Sequence, residues 1–159
     1  MGHYIANLRD IEFCLFDLLD RGSILGSSIY KDLDRETVMG MLEEVKRLAE
    51  NDLAASFIEG DRKGTEFNKA TGDVKLPESF KKSYRAYMDN EWWRIDAPEE
   101  LGGNRIPLSV RWAIAEMILG SNPAIHIYAS GTSFAHVAFI CGTERDKKIA
   151  KLMVDKDWG

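Results

Sequence analysis

Basic blocks, cysteine pairs, phosphate-cradling glycine loops and metal-ligand spacings are all missing from this chain of 159 residues. Each absence removes a class of function. Lysine and arginine total 21 against 26 aspartates and glutamates, a net charge of −5, with no basic stripe to offset it. No nucleic-acid partner is expected from that balance. Cysteine occurs only as Cys14 and Cys141, both in apolar runs. Two cannot form a disulfide framework, so both are expected to be reduced core residues of a cytoplasmic protein. His126 and His136 stand ten apart, without the i, i+4 or C-x-x-C spacing that zinc uses, and no metal is expected. "ELGGNR" at 100–105 lacks the strand and the spacing of a phosphate loop. The opening "MGHYIANLRDIEF" has no basic region followed by an apolar one, and no Ser or Thr at position six. Neither a secretion leader nor a myristoylation site is expected there.

One absence points the other way. From Met117 to Thr143 there is no Asp, Glu, Lys or Arg. A membrane span needs about 20 apolar residues. Here Gly120, Ser121, Asn122 and Pro123 interrupt the run, and His126, Ser130, Thr132, Ser133 and His136 dilute it. The expectation is a helix buried on nearly all sides, with no membrane span.

What remains is helical patterning. Leu8 to Leu19 predicts a first helix, with Ile11, Leu15 and Leu18 on one face and Phe13, Phe16 and Leu19 widening it. Val38, Met41, Leu42, Val45, Leu48 and Ala49 follow the helical repeat cleanly, opposite Glu43, Glu44, Lys46, Arg47 and Glu50, with Asp34 as N-cap. Residues 59–77 read as a polar, glycine-dotted loop with a short hairpin around Ala70 to Asp73. Pro77 opens a helix carrying Phe80, Tyr84, Tyr87 and Met88. After an ordered loop over 90–107, Val110, Ala113, Ile114, Met117 and Ile118 define an inner helix, and Pro123 to Cys141 the uncharged one, ended by Gly142. Thr143 with Asp146 predicts a capping box opening a last helix with Ile149, Leu152 and Met153. The fold class is therefore all-α: a bundle of five or six helices with at most one small β-hairpin, in one domain divided as 1–58, 59–77 and 78–159.

Two local signals bear on chemistry. "GTSFA" at 131–135 is one residue from the nucleophile elbow, and "AIHIYA" before it could be read as a strand. A triad cannot be completed from the residues C-terminal to it: no histidine lies beyond His136, and only a short stretch of chain remains. Glu116 is the lone charge in an apolar helix. An arginine partner or a solvent-facing edge is the expectation over a buried proton carrier. Taken alone, the residues hold no catalytic set.

Three pieces, in order, resemble the acyl-CoA dehydrogenases. "DAPEELGG" (96–103) resembles that family's P-E-E-Y/L-G-G loop. "SVRWAIAEMILGSNPAIHIYASGTSFAHVAFICG" (109–142) resembles the two helices that come next in the family, the second of which often opens on D-P-S or N-P. "GTERDKKIAKLMVDKDWG" (142–159) resembles the G-T-E helix of the same family. The upstream segments are similar to a bacterial long-chain subgroup with an extended N-terminus. The resemblance implies the N-terminal helical domain of a flavoprotein of fatty acid β-oxidation. It implies FAD as cofactor and fatty acyl-CoA as substrate, and apolar faces left open on the chain predict a homo-oligomer. The flavin-contacting strand and the catalytic glutamate are expected beyond Gly159, so no residue here is expected to be catalytic or cofactor-binding. By the same resemblance the domain walls the acyl-tail channel. Ser130, Gly131 and Thr132 are small enough to leave room for methylenes, and Ile127 and Phe134 are expected to flank them. Two alternatives stay open: a helical interaction module without chemistry, and a serine hydrolase around Ser133.

Overall fold

The computed structural model describes residues 2–156. The Trp158-Gly159 end of the resemblance lies outside the described residues. Among these residues six helical rods and one hairpin make up the regular structure, as an all-α fold requires.

The first rod is α1 (Leu8–Glu12), continued by a π-turn over Phe13–Leu18. It buries Ile11, Leu15 and Phe16. Phe13, Leu18 and Leu19 are exposed, contrary to the predicted wider face. The wider turn changes the angular step per residue, so a 3.6-residue repeat no longer assigns the inner side.

The second rod is the spine. It joins α2 (Arg35–Arg47), a π-turn over Leu48–Leu53, and α3 (Ala54–Lys63). Asp34 caps it, accepting the Thr37 amide at 2.7 Å. Val38, Leu42, Val45, Leu48, Ala49 and Leu53 are buried along its length, as the spacing predicts for the first five. Residues the size of Leu42 and Val45, wholly buried, each contribute about 1.5–3 kcal/mol by leaving water. The rod runs to Lys63, past Glu59, where the sequence suggested a loop.

A two-stranded antiparallel hairpin comes next, β1 (Glu66–Phe67) with β2 (Val74–Lys75), its turn where Ala70 to Asp73 predicted one. Pro77 precedes α4 (Glu78–Asp89), which buries Tyr87 and Met88. Two short 3-10 turns at Trp92–Asp96 and Glu99–Leu101 shape the ordered loop.

α5 (Leu108–Ser121) lies against the spine, burying Val110, Ile114, Met117 and Ile118. It is not enclosed: Trp112 and Glu116 reach solvent, so Glu116 takes the solvent-facing reading. The uncharged segment is corrected most. It is two helices, α6 (Pro123–Tyr128) and α7 (Gly131–Cys141), bent at Ala129–Ser130. Its outer side is open, with Ile127, Phe134, Val137 and Ile140 all more than half exposed. By length and apolar composition alone 123–141 meets the requirement for crossing a membrane. One such segment, bent and carrying hydroxyls and two histidines, does not define a membrane protein.

Gly142 ends α7 with extended angles that any residue adopts, φ −88° and ψ 174°. Glycine is required there for space, since a Cβ would collide with the Ala138 carbonyl and Asp146. The predicted capping box is present: the Thr143 amide donates to Asp146 Oδ2 at 2.8 Å and the Asp146 amide to Thr143 Oγ1 at 3.4 Å. It opens α8 (Glu144–Asp155), which lies on α7 and buries Ala150 and Val154, leaving Ile149 and Leu152 on the outside. Cys14 and Cys141 are also corrected: both are exposed, because each sits on the outward side of its rod.

Candidate functional site

The bend between α6 and α7 builds the site. Asn122 caps α6, its Oδ1 accepting the Ile125 amide at 3.4 Å. About two turns later, Ser130 folds its hydroxyl back onto the Ile127 carbonyl at 2.7 Å, while its own amide bonds that oxygen at 3.2 Å. A serine hydroxyl that competes for the backbone in this way bends or ends a helix. The Ser130 carbonyl then accepts the amides of Ser133 and Phe134, which opens α7.

Beneath the bend lies a cleft of about 40 Å³. Its small lining residues at the bend are Ala129, Ser130, Thr132 and Ser133. The large ones are Tyr87, Trp92, Trp93, Ile114 and Ile118, with Arg111 and His126 adding polar groups. Trp93 is buried, with the Arg94 guanidinium 4.4 Å above its ring, and Arg94 in turn meets Glu91 at 3.0 Å. This volume holds about one water. Ligand pockets run to about 300–1,000 Å³.

The five residues singled out by resemblance fall into three places. Ser130 and Thr132 line the cleft, and Gly131 is buried between them. Ile127 lies across α6, in an open apolar groove of about 650 Å³ bounded by Phe57, Val74, Leu76 and Phe80. Phe134 is 65% exposed on the outer side of α7, with Val137 and Ile140. Sequence reasoning missed Ala129 and Ser133 as lining residues and read Trp92-Trp93 only as a core anchor. Their shared cleft exists because α4, the 92–96 turn and α5 converge on α6 and α7, which no local pattern encodes.

A flavin ring does not fit the cleft, so no chemical step is derived through it from these residues. Among the described residues no three His, Cys, Asp or Glu side chains gather in a metal-binding group. The turn before Ser133 joins helix to helix, whereas a nucleophile elbow joins strand to helix.

The helical module has an open apolar side on α7, and the proteins its sequence is similar to include acyl-CoA dehydrogenases. Over all 159 residues the chain is 45% identical to the broad-specificity linear acyl-CoA dehydrogenase FadE5 of Mycobacterium tuberculosis, spanning 26% of that protein. Over 115 residues, 72% of the chain, it is 29% identical to the 3-methylmercaptopropionyl-CoA dehydrogenase of Ruegeria pomeroyi, spanning 19% of it. No family model matches the chain.

Proposed function

We propose that this chain is the N-terminal helical domain of an FAD-dependent dehydrogenase of linear fatty acyl-CoA, and that the α6–α7 bend forms one wall of its acyl-tail channel. The observation that carries this reading is the likeness to a linear acyl-CoA dehydrogenase along every residue of the chain. In such a reaction a carboxylate removes the α-proton and the flavin takes hydride from the β-carbon. Neither role is assigned to a residue at the bend.

The contribution of these residues is apolar enclosure. The side chains of Ser130, Gly131 and Thr132 leave space beside the bend, and each methylene buried there gains about 0.8 kcal/mol. The cleft alone is too small for an alkyl chain, so further structure completes the channel. Ile127 and Phe134 lie apart from this cleft, in the groove across α6 and on the outer side of α7. The three stretches 1–58, 59–77 and 78–159 act as one domain of a cytoplasmic homo-oligomer.

The test is turnover by the full-length flavoprotein that carries this segment, followed with an artificial electron acceptor over a ladder of acyl-CoA lengths. Oxidation of linear acyl-CoA is expected, with Ser130→Phe shortening the longest chain accepted. Absence of turnover at every length would refute the reading. A second reading, a helical interaction module without chemistry, draws on the exposed apolar side of α7.

A further inference from the structure

α6, which leads into the bend carrying Ser130 and Thr132, is held at both ends: Tyr128 packs edge-on against Phe80 and Tyr84 of α4, and the Asn-Pro step that opens it is bonded to the spine. Three carbonyls along the spine's π-turn each receive a side-chain donor from another element. Ser121 Oγ donates to the Ala49 carbonyl at 2.6 Å, Ser83 Oγ to the Asp52 carbonyl at 2.6 Å, and Asn122 Nδ2 to the Leu53 carbonyl at 3.1 Å. The Ala49 oxygen also accepts the Ala54 amide within the helix, so it uses both lone pairs. Asn122 makes two more bonds, from Nδ2 to Ser56 Oγ at 3.0 Å and from the Ile125 amide to Oδ1 at 3.4 Å. Asn122, Ser121, Ser56 and Ser83 are all essentially buried.

We infer that Asn122 is a positioning residue for the acyl wall, through its joint hold on the Leu53 carbonyl, the Ser56 hydroxyl and the Ile125 amide in the first turn of α6, an amide that also donates to the Asn122 carbonyl at 3.1 Å. The inference rests on the acyl-wall reading proposed above. α6 is only six residues long, so a shift at its capped end passes along one rigid turn and a half to Ala129 and Ser130. Those residues line the same cleft as Trp92 and Trp93, which a different set of contacts holds. Releasing Asn122 moves one set of lining residues and leaves the other in place. Ser83 is the internal control: it grips the same π-turn but belongs to α4 and makes no bond to α6.

The experiment compares Asn122→Ala, Asn122→Ser and Ser83→Ala in the full-length flavoprotein. KM and kcat are read for a short and a long linear acyl-CoA, with the melting temperature of each variant. Asn122→Ala is expected to raise KM for the long substrate about tenfold more than for the short one, with kcat nearly kept, the size of one lost buried hydrogen bond. Asn122→Ser, which restores the cap but not the reach to Leu53, recovers part of that ratio. Ser83→Ala lowers the melting temperature with the ratio unchanged. On the 159-residue chain, Asn122→Ala is expected to shift the Gly131 to Ser133 amide NMR signals, and Ser83→Ala to leave them. An unchanged KM ratio in Asn122→Ala, while wild type still oxidises acyl-CoA, would overturn the positioning role and leave the acyl-wall reading standing. So would unmoved amides at 131–133. A wild type inactive at every length would bring down both.

Discussion

The Ser83 hydroxyl donates to the Asp52 carbonyl at 2.6 Å, joining α4 to the widest turn of the spine. Ser83 is buried, so its removal leaves an acceptor without that donor in a place water does not reach freely. Ser83→Ala is expected to cost about 1–2 kcal/mol. For a chain of this size each kcal/mol corresponds to about 2–4 °C, which thermal unfolding followed by circular dichroism reads directly.

Two glycines should respond in opposite directions. Gly40 sits inside α2 with nothing within 4 Å of a built Cβ. Gly40→Ala is expected to stabilise by about 0.5–1 kcal/mol, since alanine loses less backbone entropy in a helix. Gly142→Ala is expected to destabilise, because the methyl meets the Ala138 carbonyl and Asp146. Denaturant midpoints with unchanged slopes would establish both signs.

The acid limb of stability has named owners. Hydrogen bonds from the Thr37 amide hold the Asp34 carboxyl below its usual range, and bonds from Thr143 do the same for Asp146. Glu59 and Glu144 are lowered chiefly by hydrogen bonds from Lys63 and Lys147. A group with a depressed folded pKa contributes stability that is complete above its unfolded value and disappears as pH falls through the folded one. The melting temperature should therefore hold from neutrality to about pH 5 and decline below about pH 4, the ordinary carboxylate region. Asp34→Asn keeps a cap without a titrating group and should make that decline shallower.

Phe134, Val137 and Ile140 form an open apolar stripe on α7, each more than half exposed. A stripe of this kind on a free chain favours association. The 159-residue chain is expected to form dimers or larger species in light scattering, with Val137→Glu and Ile140→Glu shifting it toward monomer. A wild-type chain that stays monomeric at all concentrations would contradict this.

Ser133 gives a negative prediction. Its amide bonds the Ser130 carbonyl in the first turn of α7, and a helix precedes it. Hydrolysis of p-nitrophenyl esters by the chain should be at background and unaltered by Ser133→Ala.

Local rules were enough for much of the fold. Val38 to Ala49 show their buried side by spacing alone, Asp34 and the Thr143–Asp146 pair are caps written in adjacent residues, and the hairpin turn sits where glycine and asparagine chemistry puts it. The π-turns left no such mark. Two carbonyls of the spine's π-turn are engaged by Ser121 and Asn122, 72 and 69 residues away along the chain. The open side of 123–141 was illegible for a related reason: absence of charge marks a surface that avoids water without saying what covers it. The cleft shares that character, since Trp92 and Ser130 come to line it only after α4, the 92–96 turn, α5, α6 and α7 have packed.

The wide turn at Leu48–Leu53 also carries a statement about length. A π-turn holds one residue more than the α-turn it replaces. Deleting a single residue within it would restore ordinary winding and leave everything from Ala54 onward in phase. The same deletion inside α2 would swing α3 by about 100° and turn its inner side outward. The spine thus has one place where the chain can shorten by a residue without the two ends noticing, provided Ser121, Ser83 and Asn122 find new acceptors.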